Sequence, residues 1–116
     1  MAKKTGIELI AAERARQIDV KGFKAPRDAQ YTQGQLLLGA IAYIQATGMQ
    51  LRFGELPKCF VPMAWPWDRS TWRPGDRKRN LAKAGAMIAA EIDRIENEEL
   101  AARIAAVPSN HEAREM

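Results

Sequence analysis

The sequence predicts an all-α fold: one small domain of three helices, with a long tryptophan- and proline-rich loop before the last helix. Two capping-box patterns and apolar residues at helical spacing carry that prediction. The first box is Thr5-Gly6-Ile7-Glu8, which places a helix over 6–20. Ile7, Ile10, Ala11 and Ile18 fall in one arc of it, and Gly22 marks its stop. Arg14 projects from the middle of the same arc. An unpaired buried arginine is very costly, so Arg14 requires a carboxylate, a set of carbonyls or a ligand. Glu13, Arg16 and Asp19 lie off the arc and read as solvated.

Residues 21–31 read as a loop punctuated by Gly22 and Pro26, with Phe23 and Tyr31 as anchors. Thr32-Gln33-Gly34-Gln35 is the second box and predicts a helix over 33–47. From Leu36 to Ala46 only Gln45 is strongly polar, so this helix is expected to be innermost, with Gly48 ending it. Gly34 and Gly39 would let neighbouring backbones approach. Tyr43 carries the one hydroxyl of this helix, for the core or for a cleft.

Residues 49–63 lack a helical period and read as a long loop with room for a small hairpin; loops of this length are functional or mobile. A third helix is expected over 75–106. Pro74 suits its first turn and Asp76 favours its start. Leu81, Ala84, Ile88, Ile92 and Ile95 form a stripe expected to pack on the core, with Gly85 on the same face for close approach. Beyond Ile95 the apolar residues rotate to Leu100, Ile104 and Val107. Either the helix bends near Asn97, or this second face pairs with another copy as a homodimer. Pro108 closes the domain at 1–108, and 109–116 reads as a disordered tail.

A chain of 116 residues with 47% apolar and 28% charged residues is bounded as one ordinary globular domain. A single cysteine, Cys59, cannot form an internal disulfide, and no Cys/His cluster suggests zinc, which fits a reducing cytoplasm. No run approaches a membrane span and the N-terminus lacks a signal-peptide core, so no membrane partner is expected.

The chemistry concentrates in 65–83. All three tryptophans lie there, and four of the six prolines fall between Pro57 and Pro74. From Asp68 to Lys83 six basic residues face two acids, an excess of four that equals the net charge of the whole chain. Aromatic faces beside arginines at a helix start suit a compact, planar, anionic partner. Candidate ligand-binding residues are Trp65, Trp67, Asp68, Arg69, Trp72, Arg73 and Arg77, joined by Arg14 and Tyr43. The residues leave open whether the tryptophans line a pocket or only cap the core.

Other chemistries fare worse. The one histidine, His111, sits in the expected tail, and Cys59 has no base nearby in sequence. There is no P-loop. A helical nucleotide pyrophosphohydrolase needs E-x-x-E facing further acids; Glu96 and Glu99 supply the spacing in a segment that reads as exposed, while the central helix carries no acid. No catalytic residue, metal or cofactor is assigned. A long nucleic acid is disfavoured because Glu91, Asp93, Glu96, Glu98 and Glu99 follow the basic block on the same helix.

Glu13-Arg14-Ala15-Arg16-Gln17-Ile18, Gly22-Phe23, Trp65-Pro66-Trp67-Asp68 with Trp72, Pro74 and Asp76, and Leu81-Ala82-Lys83-Ala84-Gly85-Ala86 running into Ala90-Glu91-Ile92-Asp93-Arg94 resemble a family of small phage and prophage proteins over residues 6–95. That family's pattern carries paired acids and a histidine after the glycine-aromatic step. This chain has Arg27, Asp28, Ala29 and Tyr31 there, which counts against a role resting on two carboxylates. The order of helix, Gly22-Phe23, Asp28, proline-rich stretch and Asp76-Arg77 is also similar, more faintly, to the ryanodine-receptor repeat domain. Together these resemblances imply a non-enzymatic phage protein in a bacterial cytoplasm. It would bind a nucleotide or nucleotide-like signal, with sequestration of a host defence signal as the use. The alternative from another class is an adaptor or inhibitor that takes a host protein on the Trp/Pro surface.

Overall fold

The computed structural model describes residues 3–19 and 28–107, which contain helices and loops and no strand. Helix α1 spans Gly6–Asp19, α2 spans Gln35–Phe53 and α3 spans Arg77–Ala106; one 3-10 turn, Arg69–Thr71, lies between the last two. The expected anchor Phe23, the stop at Gly22, Pro108 and the tail 109–116 lie outside the described residues. No described helix is long and apolar enough to cross a membrane.

The first capping box forms as predicted. The Thr5 N–H donates to Glu8 Oε1 at 2.8 Å and the Glu8 N–H donates to Thr5 Oγ1 at 3.2 Å. The buried face of α1 is different from the predicted arc, however. Ile7 is 82% exposed, whereas Glu13 and Gln17, read as outward or unremarkable, are buried. The cause lies on α3. Gly85 has no side chain, and Ile10 seats so closely there that a Cβ on Gly85 would stand 2.6 Å from it. That contact rotates α1 and turns its polar Glu13 side inward.

The second box does not form. Gln35 Oε1 accepts from the Gln33 N–H at 2.8 Å, and no side chain caps α2. Gly34 takes the cap position with φ of 80°, and a Cβ there would meet nothing within 4 Å. Its role is therefore the left-handed backbone rather than the expected close approach. Gly48 does not end α2. The helix runs on to Phe53 and stops at Gly54, whose φ is 88° and whose N–H donates to the Gln50 carbonyl. An interior glycine costs only about 1 kcal/mol. The last turns recover this through Gln50, which donates to the Gly75 carbonyl at 2.9 Å and accepts from Asn80 Nδ2 at 3.0 Å.

α2 is also not the innermost element. The hub is α3: both α1 and α2 pack on it, and among the described residues α1 and α2 make no close backbone contact with each other. The α2–α3 contact is built from small residues, Ala40 and Ala46 against Ala84, with Tyr43 between them. Small side chains bring the backbones together, and the large aliphatic ones are left outside. Leu37, Ile41 and Ile44 of α2 are exposed, and so are Leu81, Ile88, Ile92 and Ile95 of the stripe expected in the core. Of that stripe only Ala84 is buried.

α3 begins where Asp76 accepts from the Arg79 N–H at 2.8 Å. It continues without interruption through Asn97 to Ala106, so the second apolar face at Leu100, Ile104 and Val107 is not folded back and stays exposed. Its first turn is locked by Asn80, which is fully buried. Asn80 Oδ1 accepts from the Gly75 N–H at 2.7 Å, while its amide donates to the Gly75 carbonyl at 3.1 Å as well as to Gln50. One side chain thus ties the end of α2, the loop exit and the start of α3.

Candidate functional site

The chain from Gly54 to Asp76 returns across one side of the α2–α3 pair and lays its tryptophans there. Asp68 shapes the return. Its carboxylate accepts from the Ser70 N–H at 2.8 Å, which starts the 3-10 turn and holds the carboxyl below its ordinary range. The Thr71 hydroxyl donates to the Asp68 carbonyl at 2.6 Å, and Trp65 Nε1–H donates to the same carbonyl at 3.1 Å. Arg73 Nη1 donates back to the Ser70 and Trp72 carbonyls.

The rings form a continuous aromatic wall. Trp72 stacks on Tyr43 with centroids 4.6 Å apart and 28° between planes. Trp65 meets Tyr43, Trp72 and Trp67 edge to face at 5.0–5.5 Å, and Trp67 meets Tyr31 at 5.4 Å. Such pairs add about 0.5–1.5 kcal/mol each beyond burial. Trp67 sits on Gly39, where a Cβ would stand 2.7 Å from its ring. Gly39 is expected to admit a neighbouring backbone; it admits instead the side chains of Trp67 and Met87.

Behind this wall lies a cavity of about 450 Å³, bounded by α1, α2, α3 and the loop. It is lined by Trp65, Trp67, Asp68, Arg73, Arg14 and Tyr43 among the predicted residues. Three predicted residues stand apart. Trp72 is buried in the core, and Arg69 is exposed outside the cavity. Arg77 lies at the start of α3 beside Gln50 and Gly54. Trp72 is thus interior, and Trp65 and Trp67 are half-buried, so the three do not form a flat aromatic surface.

The lining also includes Glu13, Arg16, Gln17, Asp28, Thr71 and Lys83, which sequence reasoning passed over. Glu13, expected in solvent, is instead buried and takes Arg16 in two bonds, at 2.6 and 3.1 Å. Burial raises its carboxyl, but Arg16, Arg79 and Lys83 together hold it below the ordinary value. The i,i+3 spacing of Glu13 and Arg16 was a visible signal for that pair. Arg14 does find carboxylates, as its position demanded: Asp28 at 3.3 Å and Asp93 at 3.5 Å. Lys83 donates to the Arg73 carbonyl at 2.7 Å and stands 5.3 Å from the centroid of the Tyr43 ring. The Tyr43 hydroxyl is pushed up to about 12, chiefly by burial and further by Glu13, so it is a neutral donor at physiological pH.

Two buried donors at this cavity have no acceptor among the described residues: Arg14 Nε and Trp67 Nε1. Buried polar groups are almost always paired, and leaving one unpaired costs about 1–3 kcal/mol. The lining carries four cations, Arg14, Arg16, Arg73 and Lys83, against three carboxylates, Glu13, Asp28 and Asp68. Each carboxylate is already committed, to Arg16, to Arg14 and to the Ser70 N–H respectively. What the cavity offers a ligand is therefore aromatic surface, N–H donors and a slight positive excess. Among the described residues no group of three or more His, Cys, Asp or Glu is placed to hold a metal ion. Glu96 and Glu99 are exposed, away from this cavity. No family model matches the chain, and neither a curated protein nor a solved structure matches it.

Proposed function

We propose that this chain is a phage accessory protein that binds, without turning over, a nucleotide or nucleotide-derived signal in the tryptophan cavity. The observation that carries the reading is the pair of buried donors, Arg14 Nε–H and Trp67 Nε1–H, that have no acceptor among the described residues at one aromatic-lined cavity. A base brings ring nitrogens and carbonyl oxygens that accept such bonds, and its planar face suits Trp65 and Trp67. The volume of about 450 Å³ falls within the usual range for small-molecule sites, about 300–1,000 Å³. Arg16, Arg73 and Lys83 lie on the same lining to receive a phosphate.

The near-balance of lining charge favours one or two phosphates over a polyanion. The committed carboxylates support binding over catalysis: Glu13 and Asp28 hold arginines, and neither is left as a free base. The phage setting and the use against a host defence signal rest on the resemblance of the Trp65-Pro66-Trp67-Asp68 region described above.

Tryptophan fluorescence and thermal shift across mono-, di- and cyclic nucleotides test the proposal. One class is expected to change Trp65 and Trp67 emission and raise the melting temperature. Lys83→Ala should weaken that binding at least tenfold while the fold is retained. No response to any nucleotide by either readout would overturn the reading.

A further inference from the structure

We infer that a second copy of the chain covers the outer face of the α2–α3 pair, joining the two as an antiparallel four-helix layer with a twofold axis at Ile88. The face is defined by helical geometry. On α3, Leu81, Ile88, Ile92 and Ile95 fall within one narrow arc, roughly a sixth of a turn. On α2, Leu37, Ile41, Ile44 and Leu51 do likewise, within about a quarter of a turn. The helices run antiparallel, since Gln50 bonds Asn80 near one end while Gly39 faces Met87 further along. Both stripes are displaced from the helix–helix contact line in the same rotational sense. In an antiparallel pair this puts them on the same side, opposite the tryptophan loop.

These eight side chains are each 39–64% exposed. Leu51 lies level with the start of α3, beyond the partner's α2 in this arrangement; the other seven present roughly 600 Å² of aliphatic surface, at the top of the range of about 300–600 Å² for the largest patch on a typical monomer. A stable dimer needs about 800 Å² per partner, so flanking residues supply the remaining quarter. The stripe has one gap, at Gly85, and Ile10 of α1 fills it. The surface is therefore level as well as apolar.

Charge placement selects the partner. Arg77 and Glu99 lie on the same arc of α3 as the stripe, one at each end, and both are exposed. Position 88 is midway between them, as it is midway between Leu81 and Ile95. When α3 meets its own copy antiparallel about Ile88, Leu81 faces Ile95 of the other copy and Arg77 faces Glu99, twice over. A self-complementary pattern of this kind is what a twofold contact requires. Leu100, Ile104 and Val107, the residues first expected to pair, point to a different side of α3 and lie outside this contact.

Sedimentation and light scattering of the full chain test the inference, with circular dichroism to check folding. The 13.0 kDa chain is expected to run as a dimer at micromolar concentration. Ile88→Glu should give a folded monomer. Arg77→Glu should weaken the dimer at least tenfold and Arg77→Glu with Glu99→Arg should restore it; neither side chain is buried, so these variants report even if Ile88→Glu fails to fold. In a Cys59→Ser background, Ile88→Cys should cross-link on oxidation and Ile104→Cys should not. A monomeric wild type, including one that instead binds lipid vesicles, would overturn the inference. So would a dimer that survives Ile88→Glu, or a charge exchange that fails to rescue.

Discussion

Replacing Gly39 by alanine sets two effects of known size against each other. Alanine in a helix interior gains about 0.8–1.0 kcal/mol over glycine. Against this, the new Cβ would stand 2.7 Å from Trp67 Cζ3, 3.1 Å from Trp67 Cη2 and 2.8 Å from Met87 Sδ. Ordinary carbon contacts need about 3.5–4.0 Å, so both neighbours must withdraw by nearly 1 Å. Met87 is flexible and can turn away. Trp67 is a rigid ring held between Tyr31 and Trp65, with centroids 5.4 and 5.0 Å away, and retreat on its side means moving the wall. Overpacking of this kind costs about 1–3 kcal/mol.

The net expectation for Gly39→Ala is a loss of about 0.5–2 kcal/mol. In a domain of this size that lowers the melting temperature by several degrees. Because the displaced ring lines the cavity, Trp67 emission should shift together with stability, and under the proposed function nucleotide affinity should fall with them. Urea unfolding followed by circular dichroism and by fluorescence reads both. Met87→Ala in the same chain should recover only part of the loss, since the indole contact remains. A Gly39→Ala protein stabilised by the full propensity gain, with unchanged emission, would refute the seating of Trp67 on α2.

Asn80→Ala should cost about 2–3 kcal/mol in urea unfolding, because it strips the Gly75 N–H and the Gln50 side-chain oxygen of their partner at once, while the Gly75 carbonyl keeps Gln50 Nε2. Tyr43 gives an alkaline signature: the unfolded phenol ionises near 10 while the folded one waits until about 12, so stability falls as pH rises between them, by about 2–3 kcal/mol in all. Tyr43→Phe should abolish that fall relative to wild type while changing neutral stability little, since the Tyr43 hydroxyl donates to the Arg73 carbonyl at only 3.5 Å. Glu13 gives the acid signature. Its folded value lies below the ordinary 4.5, so its contribution is present above that pH and lost as pH falls through the folded value; Glu13→Gln should flatten the acid limb of the stability curve.

The helices were legible because their starts are local. Thr5 and Glu8 are three residues apart and need no tertiary partner to close a box. Asp76 likewise caps α3 from its own flank. Ends and faces were less legible because they depend on contacts far along the chain. Gly48 has the composition of a stop, but Asn80 and Gly75, on another element, hold the helix for another turn and a half beyond it. The innermost element differs from the expected one for a related reason. Hydrophobicity ranks Leu and Ile above Ala, and so an aliphatic helix reads as interior. Close packing of α2 on α3 instead selects Ala40, Ala46 and Ala84, and it is geometry rather than hydrophobicity that puts Ile41 and Ile44 outside.

The site divides along the same line. Trp65, Trp67, Asp68 and Arg73 stand out in the sequence because they lie close together in a compositionally unusual stretch, and the loop that carries them is one wall of the cavity. Arg14 was found by a cost argument: a guanidinium on an apolar arc must be answered, and Asp28 and Asp93 answer it. Glu13 and Lys83 escaped because each is ordinary in its own helix and becomes part of the site only when α1 turns on Ile10 and Gly85. Ile10 seated on Gly85 fixes that face of α1 toward α3, and with Glu13 on the same side its carboxylate, already paired with Arg16 of its own helix, is turned toward Arg79 and Lys83. Arg77 was drawn in by proximity in sequence to the tryptophans, yet α3 carries it to the opposite side of the α2–α3 contact from Lys83 and Met87. The same helix thus presents one basic residue to the cavity and another to the aliphatic stripe. The basic block at its start need not serve one anion, because its members point to different sides.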